Sequence, residues 1–403
     1  MHPSSLSAKQ QLFFDHSAQT NPEPIALVVD SALGCELFDE QGKAYIDLIS
    51  GISVSALGHQ HPIVKEAIHN QIDKHMHIMV YGEVVQSAPV DYAHWLTQQL
   101  PSNLNSVYFV NSGSEAIDAA MKLAKRYTGN SGFVAQDQAY HGSGQGPLSL
   151  MNDAYFTQAY RPLLNNVYYI KQNDIQAVKN LPLYGVAGVF IELIQSERGA
   201  KMASPDYIVA VREYCNRTGA LLIVDEIQTG LYRTGMPFEF LRYEIQPDVL
   251  VLGKSLGGGM PLGCIITSTK IMSAFTQNPI LGHITTFGGH PVCAAAGLAS
   301  SKYIFENHLT LDIQRKGQLF KNLLKHEAIV SVEGQGLLLA CHLHESINII
   351  EFNKALLRSG VFTDWFLFNM NAIRIAPPLI ISDEQINQVC LTILDNLDVF
   401  FGG

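Results

Sequence analysis

Lys254 has the most reactive setting of any residue in the sequence. It follows the apolar run 249–252 and Gly253, and glycine-rich backbone comes directly after it. Desolvation lowers the pKa of a lysine amine and leaves it free to act as a nucleophile or a base. A lysine at a strand end can equally extend its ammonium group into solvent. Which interpretation holds therefore depends on whether other segments of the chain supply residues that could act together with Lys254.

The segment Asn111-Ser-Gly-Ser-Glu-Ala116 offers a binding site for an anion. Ser112 and Glu115 have the S-x-x-E spacing of a capping box, which predicts that a helix begins at Gly113. The free backbone N–H groups and the positive dipole at such a helix start bind phosphate well. An ordinary capped helix would carry the same pattern.

Two other segments carry groups that could contact a flat heterocycle. Asp225 ends the apolar run 221–224, where a carboxylate can hold a ring nitrogen protonated. Ile227 could pack on the ring, and Gln228 could hydrogen-bond a ring substituent. Asp225 could instead be a helix N-cap or a metal ligand, although no histidine stands near it at ligand spacing. Tyr140 could stack on a cofactor or simply close the core.

Glu192 and Arg374 are charged residues inside apolar runs. A buried charge needs a hydrogen-bonding or oppositely charged partner, and a guanidinium suits bidentate carboxylate binding. A structural ion pair or a solvated strand edge would also explain either residue. Taken together, the segments supply a phosphate cradle, a ring-nitrogen acid, a stacking aromatic and an activatable lysine. This is the set of groups that a pyridoxal phosphate (PLP) site needs.

Short apolar runs that alternate with Gly/Ser-rich turns and helical stretches carry these groups. The alternation predicts an α/β domain around a mostly parallel, seven-stranded sheet, in which ligands bind at the carboxyl ends of the strands. The predicted strands are 106–110, 132–135, 166–170, 186–192, 221–225, 249–252 and 262–266.

A smaller α+β domain is predicted from both chain ends. Residues 1–55, with an antiparallel meander, and residues 301–403 would form it, and residues 56–300 would form the large cofactor-binding domain. Helical spacing places helices at 64–75, 92–100, 309–324 and 349–359, and an alanine-rich helix from 294 leads into the smaller domain. Strands are predicted at 336–340 and 372–375.

The composition favours a small-molecule enzyme of the cytoplasm. The chain has 403 residues, of which 47% are hydrophobic and 15% charged, and its net charge is −10 without a Lys/Arg-rich run. These values argue against nucleic acid or a membrane surface as a partner. We therefore expect neither a secretory signal nor a membrane-spanning run. Its six cysteines form no metal-binding pattern, so we expect reduced core cysteines and no metal.

The chain resembles the class III, ω-amino-acid type aminotransferases of PLP fold type I, which include 4-aminobutyrate, ornithine and acetylornithine aminotransferases. The resemblance runs over nearly the whole chain. Its most specific stretches are Asn111-Ser-Gly-Ser-Glu-Ala116, Val224-Asp-Glu-Ile-Gln-Thr-Gly230, Gly253-Lys-Ser-Leu-Gly-Gly-Gly-Met-Pro-Leu-Gly263 and Thr285-Thr-Phe-Gly-Gly-His-Pro291.

The resemblance implies PLP as the cofactor and assigns residues to hold it. Lys254 would form a Schiff base with the cofactor, Asp225 would pair with the pyridine nitrogen, and Gln228 would reach the ring hydroxyl. Gly113 and Ser114 would bind the phosphate.

Other roles implied by the resemblance concern the ring faces, the substrate and a second subunit. Tyr140 would stack on one face of the ring, and Ile227 would pack on the other. Glu192 and Arg374 would form a pair in which the arginine either takes a substrate carboxylate or is masked by the glutamate. Thr286 would reach the phosphate of a neighbouring subunit, so a homodimer with shared active sites is expected.

The implied reaction is a ping-pong transamination from an ω-amine or amino acid donor to a 2-oxo acid, with 2-oxoglutarate as the expected acceptor. Ser143 stands where ornithine and acetylornithine aminotransferases have an arginine, and His290 stands where asparagine is usual. Arg198 is a candidate substitute cation. The cofactor residues do not choose which bond breaks, so an aminomutase, racemase or decarboxylating enzyme stays open. An inactive binding protein of the same fold also stays open.

Overall fold

The structure, a computed structural model, describes residues 6–80 and 82–401, so the outermost residues of the two predicted terminal segments lie outside it. Its helices are α1 Ala8–His16, α2 Ser50–Ser53, α3 Pro62–Lys74, α4 Ser87–Gln98, α5 Gly113–Thr128, α6 Gln145–Leu148, α7 Ala154–Thr157, α8 Ile175–Lys179, α9 Pro205–Thr218, α10 Thr269–Met272, α11 Pro291–Leu311, α12 Ile313–Leu323, α13 Ile349–Arg358 and α14 Asp383–Phe401. Its strands are β1 Val29–Leu33, β2 Glu36–Asp39, β3 Ala44–Asp47, β4 Ser106–Val110, β5 Gly132–Gln136, β6 Val167–Ile170, β7 Val186–Glu192, β8 Ile194–Gln195, β9 Lys201–Met202, β10 Leu221–Asp225, β11 Val249–Leu252, β12 Gly263–Thr267, β13 Ile329–Gln335, β14 Leu338–Leu343, β15 Val361–Phe362, β16 Trp365–Phe366 and β17 Asn369–Ile375.

The large sheet has the seven strands that the sequence pattern predicts, in the order β4-β12-β11-β10-β7-β5-β6. The strands from β6 to β11 run parallel, whereas β12 is antiparallel to both β11 and β4. A parallel crossover needs a dozen or more residues, usually with a helix. The connection 253–262 between β11 and β12 is shorter than that, so β12 returns in the opposite direction. The predicted mostly parallel, seven-stranded sheet is confirmed.

Helices cover both faces of this sheet, which explains why its strands are nearly continuous apolar runs. On one face α5 packs its alanines and Ile117 against β5, β7, β10 and β11. On the other face α4 and α9 pack against the same strands. The strand ends are therefore the part of the sheet that polar side chains can reach.

A second hydrophobic core lies among two four-stranded sheets, the mixed sheet β1-β2-β3-β15 and the antiparallel sheet β13-β14-β17-β16. Both chain ends contribute to it, because β3 pairs in parallel with β15 and residues such as Ile46 and Leu48 pack with Ile373 and Ile393. The domain boundaries proposed after residues 55 and 300 stay a prediction.

The predicted single helix 309–324 is wrong. Helix α11 ends at Leu311 and α12 begins at Ile313, because Asp312 between them has left-handed backbone angles, with φ 47° and ψ 48°. The apolar spacing continues through this break, so periodicity alone does not reveal it. The first strand of the meander begins at Val29, a few residues after Ala26, whose φ of 50° is incompatible with a strand.

The cysteines and the long helices take part in ordinary packing. All six cysteines are buried and unpaired, as expected for reduced core residues. No helix within residues 6–80 and 82–401 is long and apolar enough to cross a membrane.

Candidate active site

A cavity of about 330 Å³ opens at the carboxyl edge of the large sheet. Polar residues at the ends of β7 and β10 and in the turns after β4, β5 and β11 converge on it. Most of the predicted site residues line this active-site cavity, namely Gly113, Ser114, Tyr140, Glu192, Asp225, Ile227, Gln228 and Lys254. Arg374 and Thr286 do not line it.

Lys254 occupies a strained position two residues after the end of β11. Its backbone has φ 50°, a left-handed value that non-glycine residues adopt mainly where the surrounding structure enforces it. Its Nζ donates a hydrogen bond of 2.6 Å to Oε1 of Gln228. Burial lowers the pKa of the Lys254 amine to about 8, although the charge of Glu197 opposes the shift. The amine is therefore much closer to its neutral, nucleophilic form than an exposed lysine.

Asp225, at the end of β10, is held on both carboxylate oxygens. Oδ1 accepts a hydrogen bond of 2.9 Å from the backbone N–H of Ile227, and Oδ2 lies 2.7 Å from Nδ1 of His141. Burial lowers the pKa of His141, but its hydrogen bond to Asp225 and the charges of Asp225 and Glu192 raise the pKa above its ordinary value. Asp225 and His141 thus form a buried, charge-assisted pair.

Sequence reasoning missed the role of His141. Its neighbour Tyr140 drew attention as an aromatic ring, but the partner carboxylate lies 84 residues away in the chain. Two residues so far apart in the chain produce no recognisable spacing in the sequence. The order of strands in the sheet is what brings them together.

Helix α5 begins at Gly113, as the capping signal predicts. Oγ of Ser112 accepts a hydrogen bond of 3.2 Å from the backbone N–H of Glu115. The carboxylate of Glu115 accepts its own hydrogen bond, of 2.8 Å, from the N–H of Asn111 rather than from that of Ser112. The helix start is confirmed. In a standard capping box the Glu115 carboxylate would accept from the N–H of Ser112, whereas here it accepts from the N–H of the preceding residue, Asn111.

Two glycines keep side chains out of the space at this helix start. A Cβ atom on Gly113 would lie 2.7 Å from Cδ1 of Ile227, and one on Gly142 would lie 2.6 Å from Oγ of Ser114. Gly142 also has φ 127°, which disfavours any other residue. Oγ of Ser114 accepts a hydrogen bond of 3.2 Å from the N–H of Gly144. The N–H groups of the first turn of α5 and the hydroxyl of Ser114 thus lie next to Ile227, an arrangement that suits an anion.

Glu192, at the end of β7, is held by backbone groups. Its carboxylate accepts hydrogen bonds from the N–H groups of Tyr140, at 3.1 Å, and Ser196, at 3.3 Å. Burial raises the pKa of Glu192 to about 7, and the charge of His141 limits the rise. The hydroxyl of Tyr140 lies 3.1 Å from Oγ of Ser143.

The predicted pairing of Glu192 with Arg374 is wrong, because Glu197 takes that place. Nη1 and Nη2 of Arg374 donate to the two carboxylate oxygens of Glu197 at 3.0 and 3.1 Å, and Nε donates to Asp364 at 2.7 Å. Arg374 lies in β17 and Glu197 in the turn after β8, whereas both oxygens of Glu192 already accept backbone hydrogen bonds. Two glutamates five residues apart in one segment cannot be told apart by sequence pattern.

The remaining candidates lie away from the cavity. Thr286 is exposed on the loop that precedes α11, next to Thr285, whose Oγ1 accepts a hydrogen bond of 2.7 Å from Asn111. Nη1 of Arg198 donates to Oε1 of Gln195 at 3.3 Å, so the structure does not bring Arg198 into the cavity. His290 stacks on His77 with a ring separation of 5.3 Å.

Comparison with known proteins identifies the family of this chain. The family described as Aminotransferase class-III matches residues 17–397. The acetylornithine aminotransferase of Methanopyrus kandleri is 32% identical over 378 residues, which cover 93% of this chain and 94% of that protein. The acetylornithine aminotransferase of Aquifex aeolicus is 35% identical, covering 88% of this chain and 93% of that protein.

A solved structure gives the same result at the level of the fold. The ornithine aminotransferase of Toxoplasma gondii, crystallised with partial occupancy of PLP in its active site, superposes with a TM-score of 0.88. It is 25% identical, and the match covers 98% of this chain and 95% of that chain. The predicted α/β architecture of PLP fold type I is therefore confirmed, and the chain belongs to the class III aminotransferases.

Proposed function

We propose that this aminotransferase moves an amino group from an ω-amine or amino acid to a 2-oxo acid by way of PLP attached at Lys254. The observation that carries the assignment is the position of Lys254: a partly buried amine with a lowered pKa, on a strained backbone, at the edge of the cavity. An idle lysine has no need of that strain or of a hydrogen bond to a buried glutamine.

The cavity fits PLP in size and in chemistry. Its volume of about 330 Å³ lies at the small end of cofactor and ligand sites. The glycine-lined start of α5 suits the phosphate, since a Cβ on Gly113 or Gly142 would collide with Ile227 or Ser114, two residues that line the cavity. We propose that Gly113 and Ser114 bind the phosphate, that Asp225 faces the ring nitrogen, and that Tyr140 and Ile227 contact the ring faces.

When bound, PLP supplies a ring that stabilises the negative charge left on the substrate carbon after that carbon loses its proton. Nζ of Lys254 takes this proton and returns it at a neighbouring atom, which needs an amine that is neutral near the working pH. Gln228 orients Nζ through its 2.6 Å hydrogen bond. Asp225, held by His141, keeps a negative charge opposite the ring nitrogen, so that the nitrogen stays protonated.

The proposed reaction is tested by separating its two halves. The PLP-loaded protein is mixed with one amine at a time, for example 4-aminobutyrate, ornithine, acetylornithine, lysine or β-alanine, and the absorbance of the bound cofactor is followed. We expect a single conversion of the cofactor without an acceptor, and we expect 2-oxoglutarate to restore the starting spectrum. Continuous product formation without any 2-oxo acid would instead identify a mutase, racemase or decarboxylase.

We also propose that the protein is a homodimer, with Thr286 reaching the phosphate in the partner subunit. Two neighbouring segments, 76–85 (residue 81 excepted) and 280–287, expose apolar side chains, and His77 packs on Phe287 with a ring separation of 4.8 Å. The exposed fractions include 61% for Met76, 77% for Ile280 and 54% for Phe287. A contiguous exposed apolar surface of this kind favours burial against a second copy of the chain.

Phe287→Glu is expected to convert the dimer to monomer. A charge at the centre of an apolar interface costs about 2 kcal/mol or more, which weakens the dimer roughly 30-fold or more. Analytical ultracentrifugation over a concentration series measures the change. Leu391→Glu is the matched control, because Leu391 is 62% exposed but lies on α14, outside both segments. Equal dimerisation of the two variants and wild type would contradict this interface.

A further inference from the structure

Gln228 makes hydrogen bonds with both ends of its side-chain amide. Its Oε1 accepts a hydrogen bond of 2.6 Å from Nζ of Lys254, and its Nε2 donates one of 3.2 Å to Oγ of Ser53. Ser53 is 1% exposed and does not line the active-site cavity, whereas Gln228 and Lys254 do. The Ser53 hydroxyl can therefore act on Lys254 through Gln228 without touching the cavity.

Ser53 lies in a turn with a strained backbone. All four residues of α2 have left-handed φ angles, 47° for Ser50, 64° for Gly51, 60° for Ile52 and 64° for Ser53. Glycine adopts this conformation readily, but the other three residues do so at an energetic cost, and Ile52 is β-branched. Strain of this kind persists where the surrounding structure enforces it, and it occurs mainly at functional sites.

Buried polar contacts hold this turn in place. Oδ1 of Asp47, at the end of β3, accepts a hydrogen bond of 2.8 Å from the backbone N–H of Ser50. Oγ of Ser50 donates to the backbone carbonyl of Ala376, directly after β17, at 2.7 Å. Two strands from distant parts of the chain thus fix the turn, and the turn holds Ser53 beside Gln228.

The orientation of the Gln228 amide decides which of its atoms faces Lys254. An ammonium group can only donate hydrogen bonds, so a protonated Nζ needs Oε1 and not Nε2. If the amide turned over, Nε2 could donate to Nζ only while the amine is neutral. Nε2 has no other hydrogen-bond partner than Ser53 among the residues that the structure describes. Loss of the Ser53 hydroxyl would therefore leave the amide free to turn over.

We infer that Ser53 is a positioning residue, whose hydroxyl keeps Oε1 of Gln228 directed at Nζ of Lys254. The inference rests on the proposed role of Lys254 in proton transfer. Both the protonated and the neutral amine can donate to Oε1, so Nζ keeps the same partner in either state. The amine then stays in one place while it takes a proton and gives it back, which efficient proton transfer requires.

Ser53→Ala tests this inference through the protonation of Lys254. In protein without PLP, acetylation of Lys254 by acetic anhydride is measured against pH, with the modified peptide quantified by mass spectrometry. We expect the midpoint of this profile to fall by about one pH unit, because the ammonium loses an oriented acceptor. In PLP-loaded protein with a saturating donor and no acceptor, the pH midpoint of cofactor conversion should also fall. The rate at high pH should be about tenfold below that of wild type.

Two controls separate orientation of the amide from general damage. Ser50→Ala removes a buried hydroxyl from the same turn, but that hydroxyl contacts Ala376 and not Gln228, so both midpoints should stay at their wild-type values. Gln228→Glu replaces the amide by a carboxylate, whose two oxygens are both acceptors and need no orientation. In that background Ser53→Ala should shift the midpoints by less than about half as much as it does with Gln228 present.

The possible results distinguish this inference from the proposed function. Unchanged midpoints in Ser53→Ala, or equal shifts in Ser53→Ala and Ser50→Ala, would overturn the role of Ser53 and leave transamination by wild type intact. A full shift in the Gln228→Glu background would overturn it as well. If no amine converts the cofactor of wild-type protein, the proposed function fails, and the acetylation profiles still decide whether Ser53 orients Gln228.

Discussion

Lys254→Ala is expected to abolish transamination. The substitution removes both the point of cofactor attachment and the group that moves the proton, and each of these contributions is large. A positioned general acid–base group alone is worth about 10²–10⁴ in rate, so the combined loss should reach at least about 10⁴. The purified variant should also lack the absorbance of lysine-bound cofactor. The measurements are kcat with a reactive donor and the spectrum of the protein after it is loaded with PLP.

Two further variants give this prediction its controls. Lys254→Arg keeps a positive charge but cannot lose its proton at any working pH, so it should be as inactive as Lys254→Ala. Lys201→Ala removes a lysine that is ion-paired with Glu333 at 2.6 Å outside the cavity, and it should keep wild-type activity. Retention of turnover and of the lysine-bound spectrum by Lys254→Ala would show that another residue holds the cofactor.

The residues that could be predicted from the sequence are those with local signals. Asp225 ends an apolar strand, Lys254 follows one, and the start of α5 follows a capping pattern, so their types and places were evident without a structure. Such signals depend on a few consecutive residues. The same is true of the strands of the large sheet, which are short apolar runs with turns between them.

Contacts between distant parts of the chain could not be predicted in this way. Arg374 was recognised as a buried cation, but its partner Glu197 lies 177 residues away and competes with Glu192 in the same segment. The same limit applies to His141 and Asp225, which the order of strands in the sheet brings together. Asp364 lies only ten residues before Arg374, yet nothing in its own spacing predicts which atom it would meet.

Asp225→Asn is expected to lower kcat by about 10²–10³ while the protein still binds PLP, because loss of one preorganised charge at a reacting group has about this effect. The amide keeps the shape of the carboxylate and can still accept the hydrogen bond from Ile227. It cannot hold the ring nitrogen protonated, and it also removes the charge that raises the pKa of His141. The measurement is the rate of cofactor conversion by a reactive donor under saturating conditions.

His141→Gln distinguishes the effect of the Asp225 carboxylate itself from the effect of its hydrogen-bond partner His141. This variant keeps the charge of Asp225 but loses its 2.7 Å partner, so we expect a smaller fall in kcat, of about tenfold. Because the two residues act as one unit, the double variant should be no slower than Asp225→Asn alone. Additive losses would mean that His141 acts independently of Asp225. An Asp225→Asn enzyme within tenfold of wild type would mean that Asp225 is a structural acid and that another group faces the ring nitrogen.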